Sequence, residues 1–237
     1  MKTCVINQPA GLGDIFFTQK IAHLLDALEY EVFWPVNPEI VWVKDYIVGP
    51  VKFCSIDDDF PEKQYYLNSI ILVDGPLFKY LPLKIANIVY PSEPIMNSKY
   101  TLAKVKWEDW AHYFNFERKE EKENALYYDV LGLKDGEEYT FLNENYGTQP
   151  NYLKFSGIQP KGDKIIEMGF LEGFTVFDWC KVLENASAIY MVDSSLNYIM
   201  EKIPIKTKNL YVYPRHKEFT IKQIKHLFTL PWEYVIV

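Results

Sequence analysis

Two short stretches carry residue types at spacings that can do chemistry. The first is Pro9-Ala10-Gly11-Leu12-Gly13-Asp14, a glycine-rich turn that follows an apolar strand, precedes a helical pattern and ends in an aspartate. It is no dinucleotide fingerprint, because Phe16 stands where a third glycine belongs, and no Walker loop, because no Gly-Lys-Ser/Thr follows. What remains is a tight connection that sets Asp14 near a helix N-terminus, at the carboxyl edge of a parallel sheet, where open α/β sheets bind ligands. Asp14 is then either a helix cap or a carboxylate placed for proton transfer. The second stretch is Asp193-Ser194-Ser195, between the strand AIYMV and a helical pattern from Leu196. Two hydroxyls and the free N–H groups of a helix start suit an anion such as a diphosphate; the same residue types are also ordinary caps.

Other candidates are thinner. Of the 25 lysines and arginines only Arg118 and Arg215 are arginines, a bias that fits an AT-rich genome. A planar bidentate donor is poorly replaced by lysine at a phosphate or carboxylate, so both positions are of interest. Asp57-Asp58-Asp59 reads as a solvated turn rather than a metal site, and no Cys/His spacing gives a zinc signature, so no metal is expected. Cys4, Cys54 and Cys180 lie far apart in apolar stretches and read as buried thiols of a reducing compartment. His23 and His226 read as structural; of His112, beside Trp110, and His216, which follows Arg215, the latter is the better site candidate.

The elements that must position these residues follow from periodicity. Thr3–Asn7 reads as a strand, and Phe17, Ile21, Leu24, Leu25 and Leu28 form one face of a helix. EVFWPV from Glu31, Val51–Ile56 and SIILVDG from Ser69 read as further strands, and Asn37-Pro38 starts a helix. The stretch from Lys99 to Leu133 reads as long, helical and charged, with Trp107, Trp110 and Phe114 on an apolar stripe and Glu117–Glu123, Arg118 among them, on a solvated face. Glu138–Asn143, DKIIEM from Asp163, Ala188–Val192, NLYVY from Asn209 and WEYVIV read as strands again, with helices at Val176–Ala186, Leu196–Lys202 and Ile221–Phe228. Strands alternating with helices build parallel sheets with right-handed crossovers. The fold class is therefore α/β, two Rossmann-like parallel-sheet halves facing a cleft and joined by a helical segment. The boundaries fall at 1–98, 99–136 and 137–237.

The 237 residues are 49% apolar, which is enough for a substantial core, and the net charge of −7 argues against nonspecific grip on nucleic acid. No run approaches the ~20 apolar residues of a membrane span, and the N-terminus is too weakly apolar for a signal peptide. A soluble, cytoplasmic protein is expected.

GLGDIFFTQKIAHLL resembles the first loop and helix of heptosyltransferase-like enzymes of the GT-B glycosyltransferase fold, and VFDWCKVLENASAIYMVDSSLNYIMEKI resembles their donor segment. KVKWEDWAHYFNFERKEEKENALYYDVLGL is similar to small glycosyltransferase-like proteins of large DNA viruses and phages, for which the location would be the host cytoplasm. The resemblance implies a glycosyltransferase that moves a sugar from a nucleotide-diphosphate sugar to a hydroxyl acceptor without metal or other cofactor. Asp14 would be the general base, with Gly11, Leu12 and Gly13 forming the acceptor loop. Asp193, Ser194 and Ser195 would receive the diphosphate, with Arg215 and Arg118 neutralising its charge. Ser195 departs from the glycine usual at that turn. Glu172, which with Glu167 flanks the loop EMGFLEGF, would accept hydrogen bonds from the ribose. Two other readings fit the same residues: a sugar-nucleotide epimerase, and a non-catalytic binding protein with a degenerate fold.

Overall fold

A computed structural model describes residues 2–68, 70–147 and 153–237. The chain divides into two compact units, Met1–Glu117 and Arg118–Val237. The stretch 99–136 is shared between them.

In the first unit, β1 (Lys2–Ile6) leads through the glycine-rich turn into α1 (Leu12–Phe17) and α2 (Gln19–Ala27). The chain then forms β2 (Tyr30–Val36), β3 (Val51–Ser55), β4 (Val73–Asp74), β5 (Phe78–Leu81) and α3 (Ile95–Leu102). The sheet order is β3-β2-β1-β5-β4, with β4 alone antiparallel. Chain order reverses direction across the sheet between β1 and β5, so the switch point lies at their carboxyl ends. The core there is aromatic: Phe16 stacks on Phe114 with centroids 4.6 Å apart, and Phe17 meets Tyr100 edge-on at 4.9 Å.

The second unit holds α4 (Glu120–Asn124), β6 (Thr140–Asn143), β7 (Ile165–Glu167), α5 (Cys180–Asn185), β8 (Ala188–Val192), α6 (Leu196–Met200), β9 (Leu210–Tyr213), α7 (Glu218–Ile224) and β10 (Glu233–Tyr234). Its sheet is parallel throughout in the order β7-β6-β8-β9-β10. Here the switch point falls between β6 and β8.

Two parallel-sheet α/β regions therefore form as the alternation predicts, and four local readings need correction. SIILVDG does not supply the interior strand: Ser69 lies outside the described residues, Ile70 and Ile71 are exposed, and only Val73–Asp74 pairs, at the edge. The interior strand is Phe78–Leu81 beyond the Gly75-Pro76 turn, and it buries Tyr80 and Leu81. The first helix breaks at Thr18, whose hydroxyl donates to the Asp14 carbonyl at 2.7 Å. Asn37-Pro38 starts a 3₁₀ segment over Pro38–Asp45. The middle is no continuous helix, since Lys104 and Asp109 take positive φ and Asn115–Phe116 pairs as a short strand with Ile47–Val48. Arg118 consequently lies in the connection before α4 rather than on a helix, and Glu123 is buried rather than solvated.

Candidate functional site

In the first unit the site starts from Gly11. Its φ is +82°, and a Cβ there would come within 2.3 Å of the Asp14 Oδ2 atom, so only glycine suits both backbone and neighbour. Asp14 occupies the first turn of α1 without serving as its N-cap residue. Its Oδ1 lies 3.1 Å from the ammonium of Lys99, which is almost wholly buried. Lys99 also donates to Gln8 Oε1 at 2.7 Å and to the Leu83 carbonyl at 3.1 Å. Gln8 is fixed in turn: its side-chain amide donates to the Ala10 carbonyl at 2.6 Å, and its backbone carbonyl accepts from Trp34 Nε1 at 3.0 Å. At the end of β1 Asn7 donates to the Tyr80 hydroxyl at 2.6 Å, while its Oδ1 is buried without a partner. The turn is thus held from β1, β2, β5 and α3.

In the second unit the buried Asp193 ends β8 and is not a simple cap. Its Oδ1 accepts from the Arg215 backbone N–H at 2.6 Å, and its Oδ2 accepts from Arg215 Nε at 2.8 Å. Burial pushes the Asp193 carboxyl above its ordinary range, outweighing the opposing pull of Arg215. The Arg215 guanidinium lies 5.2 Å from the Tyr146 ring centroid. Its two Nη groups have no partner among the described residues. The Ser194 N–H donates to Asn197 Oδ1 at 3.0 Å, and the Ser194 hydroxyl sits 3.4 Å from Asn143 Nδ2 and from the Leu196 N–H, both weak contacts. Ser195 begins α6 with no capping bond from its side chain, and Asn197 Nδ2 is buried without a partner. Asn143 and Ser194 therefore mark the two sides of the β6/β8 switch point.

The sequence candidates separate clearly. Asp193, Ser194 and Arg215 come together, and Asp14 sits over Gly11. Arg118 is drawn elsewhere: its Nε donates to Glu123 Oε1 at 2.8 Å, its Nη2 reaches Glu184 Oε2 at 3.2 Å, and further ion-pair contacts join it to both carboxylates. Glu172 is exposed on a turn before the Val176–Trp179 segment, and Glu167 pairs with Lys154 at 2.9 Å. His216 is exposed, and its backbone N–H donates to the Thr220 hydroxyl at 3.0 Å. Desolvation lowers the pKa of His23 and of His226. Among the described residues no three His, Cys, Asp or Glu side chains group to hold a metal ion, and no helix is long and apolar enough to cross a membrane. An apolar cavity of about 160 Å³ against α2 is lined by Ile21, Leu25, Leu102 and Lys104, and by none of the candidate site residues.

Lys99, Gln8, Asn143 and Tyr146 were not among the sequence candidates. Asn143 had a signal, a polar residue closing the apolar strand Tyr139–Leu142. Lys99 had none, because only tertiary folding brings α3 to the glycine-rich turn.

No family model and no curated protein sequence matches the chain. Solved structures do. A glycosyl transferase family 9 protein from Veillonella parvula superposes with a TM-score of 0.53 at 10% identity, over 100% of this chain and 86% of that one. The iron-containing dodecameric glycosyltransferase TibC from enterotoxigenic E. coli gives 0.53 at 11% identity, over 99% of this chain and 62% of TibC. TibC as a heptosyltransferase in complex with ADP-D-beta-D-heptose gives 0.52 at 11%, over 98% of this chain and 63% of TibC. The chain thus spans less than two thirds of TibC. The likeness is one of fold: each unit is a parallel-sheet α/β region, consistent with a GT-B, heptosyltransferase-like fold.

Proposed function

We propose that the chain is a glycosyltransferase that transfers a sugar from a nucleotide-diphosphate sugar to a hydroxyl acceptor. The observation that carries the reading is Arg215, oriented by Asp193 and Tyr146, its Nη groups without a partner among the described residues, at the carboxyl edge of a parallel sheet. In a fold shared with a protein that binds ADP-heptose, such a cation matches the diphosphate of a donor. The hydroxyls of Ser194 and Ser195 supply further donors to the phosphate oxygens.

Asp14 acts as general base. As the acceptor O–H bond breaks, its proton passes to the carboxylate, the acceptor oxygen bonds to the anomeric carbon, and the bond from that carbon to the diphosphate breaks. Arg215 and the two serines then meet the charge left on the diphosphate, and no metal ion takes part in this scheme. The first loop, Gly11-Leu12-Gly13, receives the acceptor beside Asp14. Three free cysteines fit a reducing compartment such as the cytoplasm.

The test is a thermal-shift panel of nucleotide sugars and free nucleoside diphosphates with ADP-D-beta-D-heptose included, followed by assay of diphosphate release. A shift with at least one nucleotide sugar, and release that Asp14→Asn abolishes, are expected. No shift at millimolar ligand would overturn the reading, since binding at a hundred times Kd stabilises by about 2.7 kcal/mol. Conversion of the donor without loss of its diphosphate would replace transfer with epimerisation.

A further inference from the structure

Lys99 is only 4% exposed, and burying an ammonium is costly unless each proton and the charge are answered. Three segments supply the partners: Lys99 donates to Gln8 Oε1 after β1 and to the Leu83 carbonyl after β5, and Asp14 Oδ1 on α1 forms an ion pair with it at 3.1 Å. Only Asp14 brings a charge. The lysine is fixed from behind as well, because the next residue of α3, Tyr100, donates its hydroxyl to the Phe17 carbonyl at 2.5 Å and ties α3 to the end of α1.

This makes the Asp14 carboxylate unsymmetrical. Oδ1 faces the ammonium, whereas Oδ2 has no hydrogen-bond partner among the described residues and lies against the bare Cα of Gly11. We propose that Lys99 is a positioning residue: it holds Asp14 by Oδ1, so that Oδ2 is the oxygen that takes the acceptor's proton. The proposal rests on the reading of Asp14 as the general base. Lys99 touches neither donor nor acceptor. It acts by denying the carboxylate other rotamers, and misplacement of a reacting group by about 1 Å costs on the order of 100-fold in rate.

Kinetics of diphosphate release by the full chain, with whichever nucleotide sugar of the panel is turned over, separate this role from a structural one. Lys99→Met should lower kcat about 10- to 100-fold and leave the donor KM unchanged, because the proposed donor contacts lie in the second unit. The double variant Asp14→Asn with Lys99→Met should be no slower than Asp14→Asn alone. Gln8→Met, which removes one anchor of the ammonium at similar volume, should lower kcat in the same direction by a smaller factor. An inactive Asp14→Asn beside a Lys99→Met of undiminished kcat would overturn the positioning role and leave the base in place. A fully active Asp14→Asn would overturn the base and the positioning role together, as would a wild-type chain that turns over no donor. Should Lys99→Met not fold, Gln8→Met decides, and an unchanged kcat there overturns the proposal.

Discussion

Asp193 holds Arg215 at two points: Oδ1 accepts from its backbone N–H at 2.6 Å and Oδ2 from its Nε at 2.8 Å. The aspartate that closes β8 therefore serves the arginine that follows β9, and the pair spans two adjacent parallel strands. Because Asp193 is spent in this way, any anion at the loop meets Arg215 and the serines instead.

Arg215→Lys keeps the charge but loses the fork that Asp193 and Tyr146 orient. Affinity for a nucleoside diphosphate should fall about 10-fold, roughly 1.4 kcal/mol, while affinity for the matching nucleoside stays unchanged. Isothermal titration with both ligands checks this, and equal losses would remove Arg215 from the phosphate contacts.

The Asp193 carboxyl is raised by burial, which fixes the sign of a pH effect. A group with a raised folded pKa contributes stability that is fully present below its unfolded pKa and is lost as pH rises through the folded one. Asp193→Asn lacks this titration. The stability of the wild type relative to Asp193→Asn should therefore decline as pH is raised through the acid range and then level off. Urea unfolding of both proteins at a series of pH values measures it, and a relative stability that climbs with pH would show that Arg215 outweighs burial.

The sheets were legible in the sequence because apolar runs bounded by turns report burial directly. Thr140–Asn143, Ala188–Val192 and Leu210–Tyr213 fall close to where their patterns place them. SIILV misled because apolar composition does not tell an exposed edge from an interior strand, and the shorter Phe78–Leu81 took the central place. The two loops that open on the carboxyl edges were legible as well, since a strand-to-helix turn in a parallel sheet has only that place to go. Their partners were not. Lys99 reaches Asp14, and Tyr146 underlies Arg215, through contacts between segments distant in sequence, and local pattern carries no record of these.

Arg118 bridges Glu123 and Glu184, whose side chains are 3% and 12% exposed. Arg118→Ala would leave two largely buried carboxylates without a counter-charge. A fully buried pair broken in this way costs about 3–5 kcal/mol, and the partial exposure of Arg118 reduces that to about 2–3 kcal/mol. Denaturant unfolding should show this loss, with Glu184→Gln restoring part of it in the double variant. Nucleotide affinity of the folded fraction should not change.

Cys4 and Cys180 are buried, Cys54 is half-buried rather than buried, and desolvation disfavours the thiolate at all three. The Cys4 thiol is pushed up to about 12 and that of Cys54 to about 11, and Cys180 is raised as well. At pH 8 the thiolate is scarce at all three. Iodoacetamide should label none of them in the native protein at the rate of a free thiol, and all three after denaturation; mass spectrometry reads both. Rapid native labelling at Cys4 or Cys180 would mean that its surroundings open.

Gly11→Ala tests the turn that carries Asp14. The φ of +82° costs an L-residue about 1–2 kcal/mol. The added Cβ would also stand 2.3 Å from Asp14 Oδ2, so the carboxylate must swing away from the position that Lys99 sets. The melting temperature should fall by about 5 °C. The drop in kcat should exceed what the unfolded fraction explains, because the displaced atom is the one assigned to the proton. Gly136→Ala is the control: its φ of +77° carries the same backbone cost, but nothing lies within 4 Å of the new methyl. It should lose comparable stability and keep its rate. Equal rate losses in the two variants would show that Gly11 serves the fold and not Asp14.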